Sequence, residues 1–214
     1  MGQYKLPARV KLVIGMLAAE PEILKSARSR LQEKFGPEEE VMDPIPFVWT
    51  GYYAPELGDS PWRSFVSYEN LLEREALVEI KRHTNGLEEE FSRGGLRRVN
   101  LDPGYMTLGQ FFLATTKDQR HRVYVRDGIF VEPTLYFENG EFHPFEWTYP
   151  DYRSVPYLEY FRAARSKLAY QQRHGEIPYG RRLAGPLRKG GARPAAQPRP
   201  ENGPGSAGSG PEED

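Results

Sequence analysis

Two dipeptides constrain this chain more than any other feature. Asp127-Gly128 and Asn139-Gly140 each sit between runs of strand-forming residues. Such pairs tolerate the positive φ angles that a two-residue hairpin turn demands. They predict three antiparallel strands, about His121 to Arg126, Ile129 to Phe137 and Glu141 to Tyr149. Two-residue turns also set register, and register decides which side chains share a face. The pairing places Val123 opposite Glu132, His121 opposite Thr134, Glu132 opposite Trp147 and Thr134 opposite Phe145. His121, Val123, Val125, Phe130, Glu132, Thr134, Tyr136, Phe145 and Trp147 then share one face, and Arg122 and Glu146 lie on the other. A carboxylate among Val and Trp neighbours must be paired, or its pKa must rise. Glu132 is therefore a candidate functional acid with His121 beside it, and a structural Glu–His or Glu–Arg pair is the plainer alternative.

Upstream of this meander the apolar pattern alternates between strand and helix. Val10 to Leu17 is a short continuous apolar run, the mark of a buried strand. Ile23, Leu24, Ala27, Leu31 and Phe35 follow at helical spacing, with Pro21 in the first turn and Gly36-Pro37 as the stop. Ile45 to Trp49 and Ser64 to Tyr68 read as strands flanking an irregular aromatic segment that contains Tyr52 and Tyr53. Leu77, Ile80, Leu87 and Phe91 mark a second helix, stopped by Gly94-Gly95, and Arg97 to Asp102 is the next strand. An apolar helix is expected from near Thr107. The last helix begins near Pro156 and turns Leu158, Phe161 and Leu168 inward. The predicted class is α+β: a ferredoxin-like β-α-β-β-α-β core, extended by an antiparallel three-strand meander and a C-terminal helix.

Candidate chemistry gathers at three further places. In Arg97 to Tyr105 (Arg-Arg-Val-Asn-Leu-Asp-Pro-Gly-Tyr), alternation puts Arg98, Asn100 and Asp102 on one face, with Pro103-Gly104 expected to turn the chain just before Tyr105. In Ala114 to Arg122, Thr116, Lys117 and Arg122 suit an anionic oxygen. The run Glu146 to Arg153 is dense in rings and carboxylates. Arg98, Asn100, Tyr105, Thr116, Lys117, Arg122 and Thr134 are the ligand-binding candidates. Asp102, His121 and Glu132 are the catalytic ones. Asp102, Glu132 and Glu146, with His121 and Asp151 in reach, offer oxygen and imidazole donors to a divalent metal. Trp49, Tyr52, Tyr53 and Trp62 are candidates for an exposed docking patch. The acidic runs Glu38 to Glu40 and Glu88 to Glu90 read as solvated helix ends and faces.

Composition narrows the options. With no cysteine, thiol chemistry, thiolate metal sites and disulfides are excluded, and a cytoplasmic setting is expected. Met1 to Pro7 lacks the apolar centre of a signal peptide, and no apolar run is long enough for a membrane span. A formal net charge of −1 argues against a general nucleic-acid binder. Residues 185–214 hold 7 Gly and 6 Pro. The organisation expected is a single domain over residues 1–174 and a disordered Gly/Pro-rich tail over 175–214. There is no phosphate-binding Gly-x-x-x-x-Gly-Lys-Ser/Thr and no Gly-x-Ser-x-Gly elbow. The Gly-x-Gly-x-x-Gly at Gly203, Gly205 and Gly208 has no strand before it. Phe65-Val66-Ser67-Tyr68 matches half of an RNA-recognition signature, but Pro61 to Ser64 breaks the other half.

Five stretches together carry a family resemblance: Val10 to Leu17, Tyr52-Tyr53-x-Pro55-Glu56-Leu57-Gly58, Arg97 to Tyr105, Ala114 to Asp118, and Glu146 to Arg153. Over roughly residues 8 to 172 the chain resembles a bacterial family catalogued as domain of unknown function 4416. The resemblance implies no established activity. Some members resemble proteins described as GTP-binding, and Asn100-Leu101-Asp102-Pro103 is similar to a loop of the GPN-loop GTPases. A GTP-binding-like protein without a phosphate loop is thus one alternative. A protein- or RNA-interaction module is another. The expectation from the residues themselves is a small-ligand-binding protein or enzyme, with an anionic, phosphate- or nucleotide-like ligand and metal assistance as an option.

Overall fold

The structure is a computed structural model that describes residues 2–175. All of these fall in the first of two compact units, Met1–Arg181. The expected disordered tail, apart from Gly175, lies outside the described residues. The elements are β1 (Val10–Ala18), α1 (Pro21–Phe35), β2 (Glu38–Pro46), α2 (Ala54–Leu57), β3 (Trp62–Leu72), α3 (Leu77–Glu90), β4 (Val99–Met106), β5 (Gln110–Thr115), β6 (Val123–Arg126), β7 (Ile129–Glu138), β8 (Glu141–Pro144) and α4 (Val155–His174). The eight strands form one sheet in the order β2-β3-β1-β4-β5-β7-β6, with β8 also paired to β7. Every pairing is antiparallel.

β1 is central, and all of its residues are buried, as its continuous apolar run predicts. Alternation along it feeds two cores. Leu12, Ile14 and Met16 pack with Ile23, Leu24, Leu31, Ile80 and Leu87 from α1 and α3. On the other face Val13, with Phe65, Phe111 and Leu135, packs under Tyr157, Phe161, Ala164 and Leu168 of α4. The sheet is thus covered by α1 and α3 on one side and by α4 on the other.

Both Gly-containing turns form as expected, with positive φ at Asp127, Gly128, Asn139 and Gly140. Register departs from expectation at the first hairpin. A bulge between Tyr124 and Arg126 makes Val123 face Val131 instead of Glu132. β8 ends at Pro144, so Trp147 does not pair as a strand residue. Its indole instead donates to the Pro133 carbonyl at 2.8 Å.

Three other expectations are corrected. The first edge strand is Glu38–Pro46, not Ile45 to Trp49. Its acidic start is a strand because each carboxylate meets a cation: Glu38 with Arg28, Glu39 with Lys11 and Glu40 with Lys167. The segment after Thr107 is β5, not a helix. Phe111 and Leu113 reach the α4 core while Ala114 packs with Leu77 and Val78, an alternation of period two. Pro103-Gly104 does not turn the chain. β4 runs straight through it, pairing Ile14 with Pro103 and Val13 with Gly104. The glycine is there for contact: a Cβ at Gly104 would overlap the Phe112 carbonyl oxygen on β5.

Candidate functional site

β4 and β5 pair at three positions only, Gly104 with Leu113, Tyr105 with Phe112 and Met106 with Phe111. Beyond them the strands part. β4 from Val99 to Pro103 keeps β1 on one side, while Ala114 and Thr115 of β5 stay with β7. At this fork lies a cavity of about 700 Å³. Asn100 and Asp102 line one branch, and Leu113 to Lys117 with Glu132 line the other. Phe47, Trp49, Tyr52 and Tyr53 come from the loop between β2 and β3, and Tyr149 to Tyr152 from the approach to α4.

The unpaired edge of β4 still needs partners for its backbone groups. Two side chains of α3, two turns apart, stand in for the missing strand. Glu88 accepts the Leu101 N–H at 2.6 Å, and the Lys81 ammonium donates to the Leu101 carbonyl at 3.0 Å. Burial raises the Glu88 carboxyl above its ordinary range, against the pull of Lys81 and the Leu101 bond. Pro103 lies two residues on, so its ring nitrogen faces the same open side. A residue without an N–H is tolerated there.

The floor of the cavity is built on Arg63 of β3, which is 3% exposed. Its guanidinium lies over the Phe47 and Phe65 rings and reaches Asp102 at 3.5 Å and Asp151 at 3.3 Å. Gly15 of β1 makes the passage: a Cβ there would come within 2.9 Å of the Phe65 ring and 3.2 Å of the guanidinium. Asn100 donates to Asp102 at 2.7 Å and accepts from Arg97 at 3.1 Å. Burial works against the charge on Arg63, but Tyr152, Asp102 and Asp151 hold its pKa above the usual value. Burial also raises the Asp151 carboxyl, despite the facing guanidinium. Tyr53 and Tyr152 are pushed above the tyrosine range by burial and so keep their protons. The Arg63 Nε and the Tyr152 hydroxyl have no hydrogen-bond partner.

The walls are neutralised pairs. Glu132 is held by His121 at 3.0 Å and Arg122 at 2.6 Å, so the two expected structural pairings coexist. Both can reach it because residues 119–122 form a turn, closed by the Arg122 N–H to the Gln119 carbonyl, rather than an alternating strand. Arg97 bonds Glu56 at 2.9 and 2.6 Å and Glu88 at 3.3 Å. Lys117 differs. Its ammonium donates to the Tyr52 hydroxyl at 3.0 Å and sits 4.8 Å from that ring's centre. That bond draws the Tyr52 pKa down.

Of the catalytic, ligand-binding and metal candidates expected from sequence, Asn100, Asp102, Thr116, Lys117, Arg122, Glu132 and Asp151 line the cavity together. The others do not. His121 sits behind Glu132, stacked on Trp147 at 5.3 Å, and does not reach the lining. Thr134 is buried, with its carbonyl taken by Thr148. Tyr105 packs on the α3 side against Phe112, because the chain does not turn at Gly104. Arg98 precedes the first residue of β4, so strand alternation does not govern it, and it pairs with Glu20. Glu146 is exposed beside Arg120, which separates it from the other two metal candidates. Among the described residues no group of three or more His, Asp or Glu side chains gathers to hold a metal. Of the docking-patch rings, Trp49 (45%) and Tyr52 (61%) are exposed, whereas Tyr53 and Trp62 are half-buried. Arg63, Lys81, Glu88 and Arg97 were not among the candidates. The available signals were a lone glycine inside an apolar strand, and an oppositely charged pair two turns apart on an apolar helix face.

This architecture defines an α+β protein whose single antiparallel sheet forks around a cavity of mixed charge. The chain belongs to the family described as Domain of unknown function (DUF4416), whose sequence model matches residues 8–168. Neither the curated proteins nor the solved structures include a match to it.

Proposed function

We propose that the forked cavity binds a small anionic ligand, phosphate- or nucleotide-like, with the Lys117 ammonium as its main charge contact. The observation that carries this reading is the state of Lys117. It lines a cavity of about 700 Å³, is exposed and, among the described residues, forms no ion pair, whereas Arg63, Arg97 and Arg122 there are all spoken for by carboxylates and Lys81 is buried on the Leu101 carbonyl. Thr115 and Thr116 add hydroxyls beside it. The exposed Trp49 and Tyr52 rings line the same space and suit the flat face of a base. Asp102 is the acid/base candidate, being part-exposed in the cavity, and Glu132 is a positioning group held by its two partners. A ferredoxin-like plan for the first four strands belongs to this proposal, supported by the order β2-β3-β1-β4 with α1 and α3 on one face. So does a cytoplasmic location, supported by the lack of cysteine.

The test is a thermal-shift screen with inorganic phosphate, sugar phosphates and nucleotides. A hundredfold excess over Kd should raise the melting temperature by about 5–10 °C for a domain of this size. Lys117→Met should abolish the rise, and Asp102→Asn should alter it. No shift with any anion would overturn the reading and favour a docking role for Trp49 and Tyr52.

A further inference from the structure

Pairing removes most of the cavity's charge and leaves two ends unbalanced. At the floor one guanidinium, Arg63, serves two carboxylates, Asp102 and Asp151, at the long distances of 3.5 and 3.3 Å. That end keeps a surplus negative charge. At the mouth Lys117 keeps a positive one, with Glu89 an exposed carboxylate on the rim. Both floor carboxylates line the cavity. Sharing one cation at such distances, they keep lone pairs to spare, and a ligand that supplies N–H donors satisfies them.

We infer that the ligand is bipolar, with an oxyanion at Lys117 and a protonated amine on the floor formed by Asp102 and Asp151. This rests on the anion-binding reading above and adds the second end. An ammonium carries N–H donors and no acceptor, and the floor presents the acceptor oxygens of two carboxylates. Its single charge cancels the floor's surplus. A second oxyanion would meet two carboxylates. An apolar group would leave the carboxylates desolvated. A divalent ion would bring two positive charges to a surplus of one, beside the Arg63 guanidinium.

The experiment is calorimetric titration of the full chain with two matched series, alkyl phosphates and ω-aminoalkyl phosphates of the same lengths. At the chain length that spans the two ends, the amine should tighten binding about tenfold or more, as expected of a charge-assisted, partly buried contact. Asp102→Asn should bring the ratio between the series close to one. Asp151→Asn should also cut the ratio severalfold and serves as the second variant if Asp102→Asn unfolds. Alkyl phosphates that bind as tightly as their amino partners at every length would overturn the inference while leaving the anion site standing. Failure of both series to bind would overturn both.

Discussion

Two buried cations sit on adjacent strands of the same sheet and have opposite meanings. Lys11 of β1 is fully buried, paired with Glu39 and bonded to the Tyr68 carbonyl at 3.1 Å. Arg63 of β3 is almost as deeply buried, yet it faces two carboxylates and borders a cavity. The first site balances one charge against one and lies away from the cavity lining. The second has a surplus carboxylate facing open volume. Burial alone therefore does not mark a functional site. Incomplete charge balance beside open volume does.

The largest expected effect breaks the second site. Arg63→Met leaves Asp151 buried and Asp102 half-buried without a cation and should cost about 3–5 kcal/mol in urea unfolding. A loss under 1 kcal/mol would mean that Arg63 is not the keystone of the floor. The first site should behave differently. Lys11→Met should be clearly destabilising, but Lys11→Met combined with Glu39→Gln should return to within about 1 kcal/mol of the native chain, because a balanced pair can be replaced as a unit. No such double change rescues Arg63→Met, which has two carboxylates to answer for. Alkali separates the sites further. Burial holds the Lys11 ammonium below the lysine range even with Glu39 beside it. The unfolded chain then keeps its proton where the folded chain releases it. Native stability should rise, relative to Lys11→Met, as pH climbs from that lowered value towards about 10.4. A flat difference would refute the assignment.

Smaller effects sharpen the contrast. Gly15→Ala should cost about 1–3 kcal/mol by pushing on Phe65 and the guanidinium that crosses β1. It should also weaken ligand binding, which a core defect elsewhere would leave alone. Lys117→Met should change stability by less than about 0.5 kcal/mol, since the residue is exposed, yet remove the ligand response. A Lys117→Met protein that unfolds early would make that lysine structural.

Much of this was legible in the residues. β1, α1, α3 and α4 follow from apolar periodicity, and the Asp-Gly and Asn-Gly turns stand where local φ preference puts them. β2 was misplaced because Glu38, Glu39 and Glu40 look solvated until Arg28, Lys11 and Lys167 arrive from other elements. β5 read as a helix because Leu108, Phe111 and Phe112 also satisfy helical spacing over so short a run. The bulge near Val125 is invisible to turn chemistry, and it shifted a whole face. In the site, Asp102, Lys117, Arg122 and Glu132 could be named because polar clusters at strand ends draw attention. Arg63 could not, since it occupies a core position between Trp62 and Ser64 and depends on a glycine 48 positions away in sequence.

The borrowed bonds at Leu101 have one more consequence. An amide in mid-sheet normally exchanges its hydrogen only when neighbouring strands come apart. The Leu101 amide is tied instead to a helix side chain, Glu88. Its deuterium uptake is therefore a gauge of how firmly α3 grips the sheet, a clock that runs separately from those of Gly15 or Met16 one strand away.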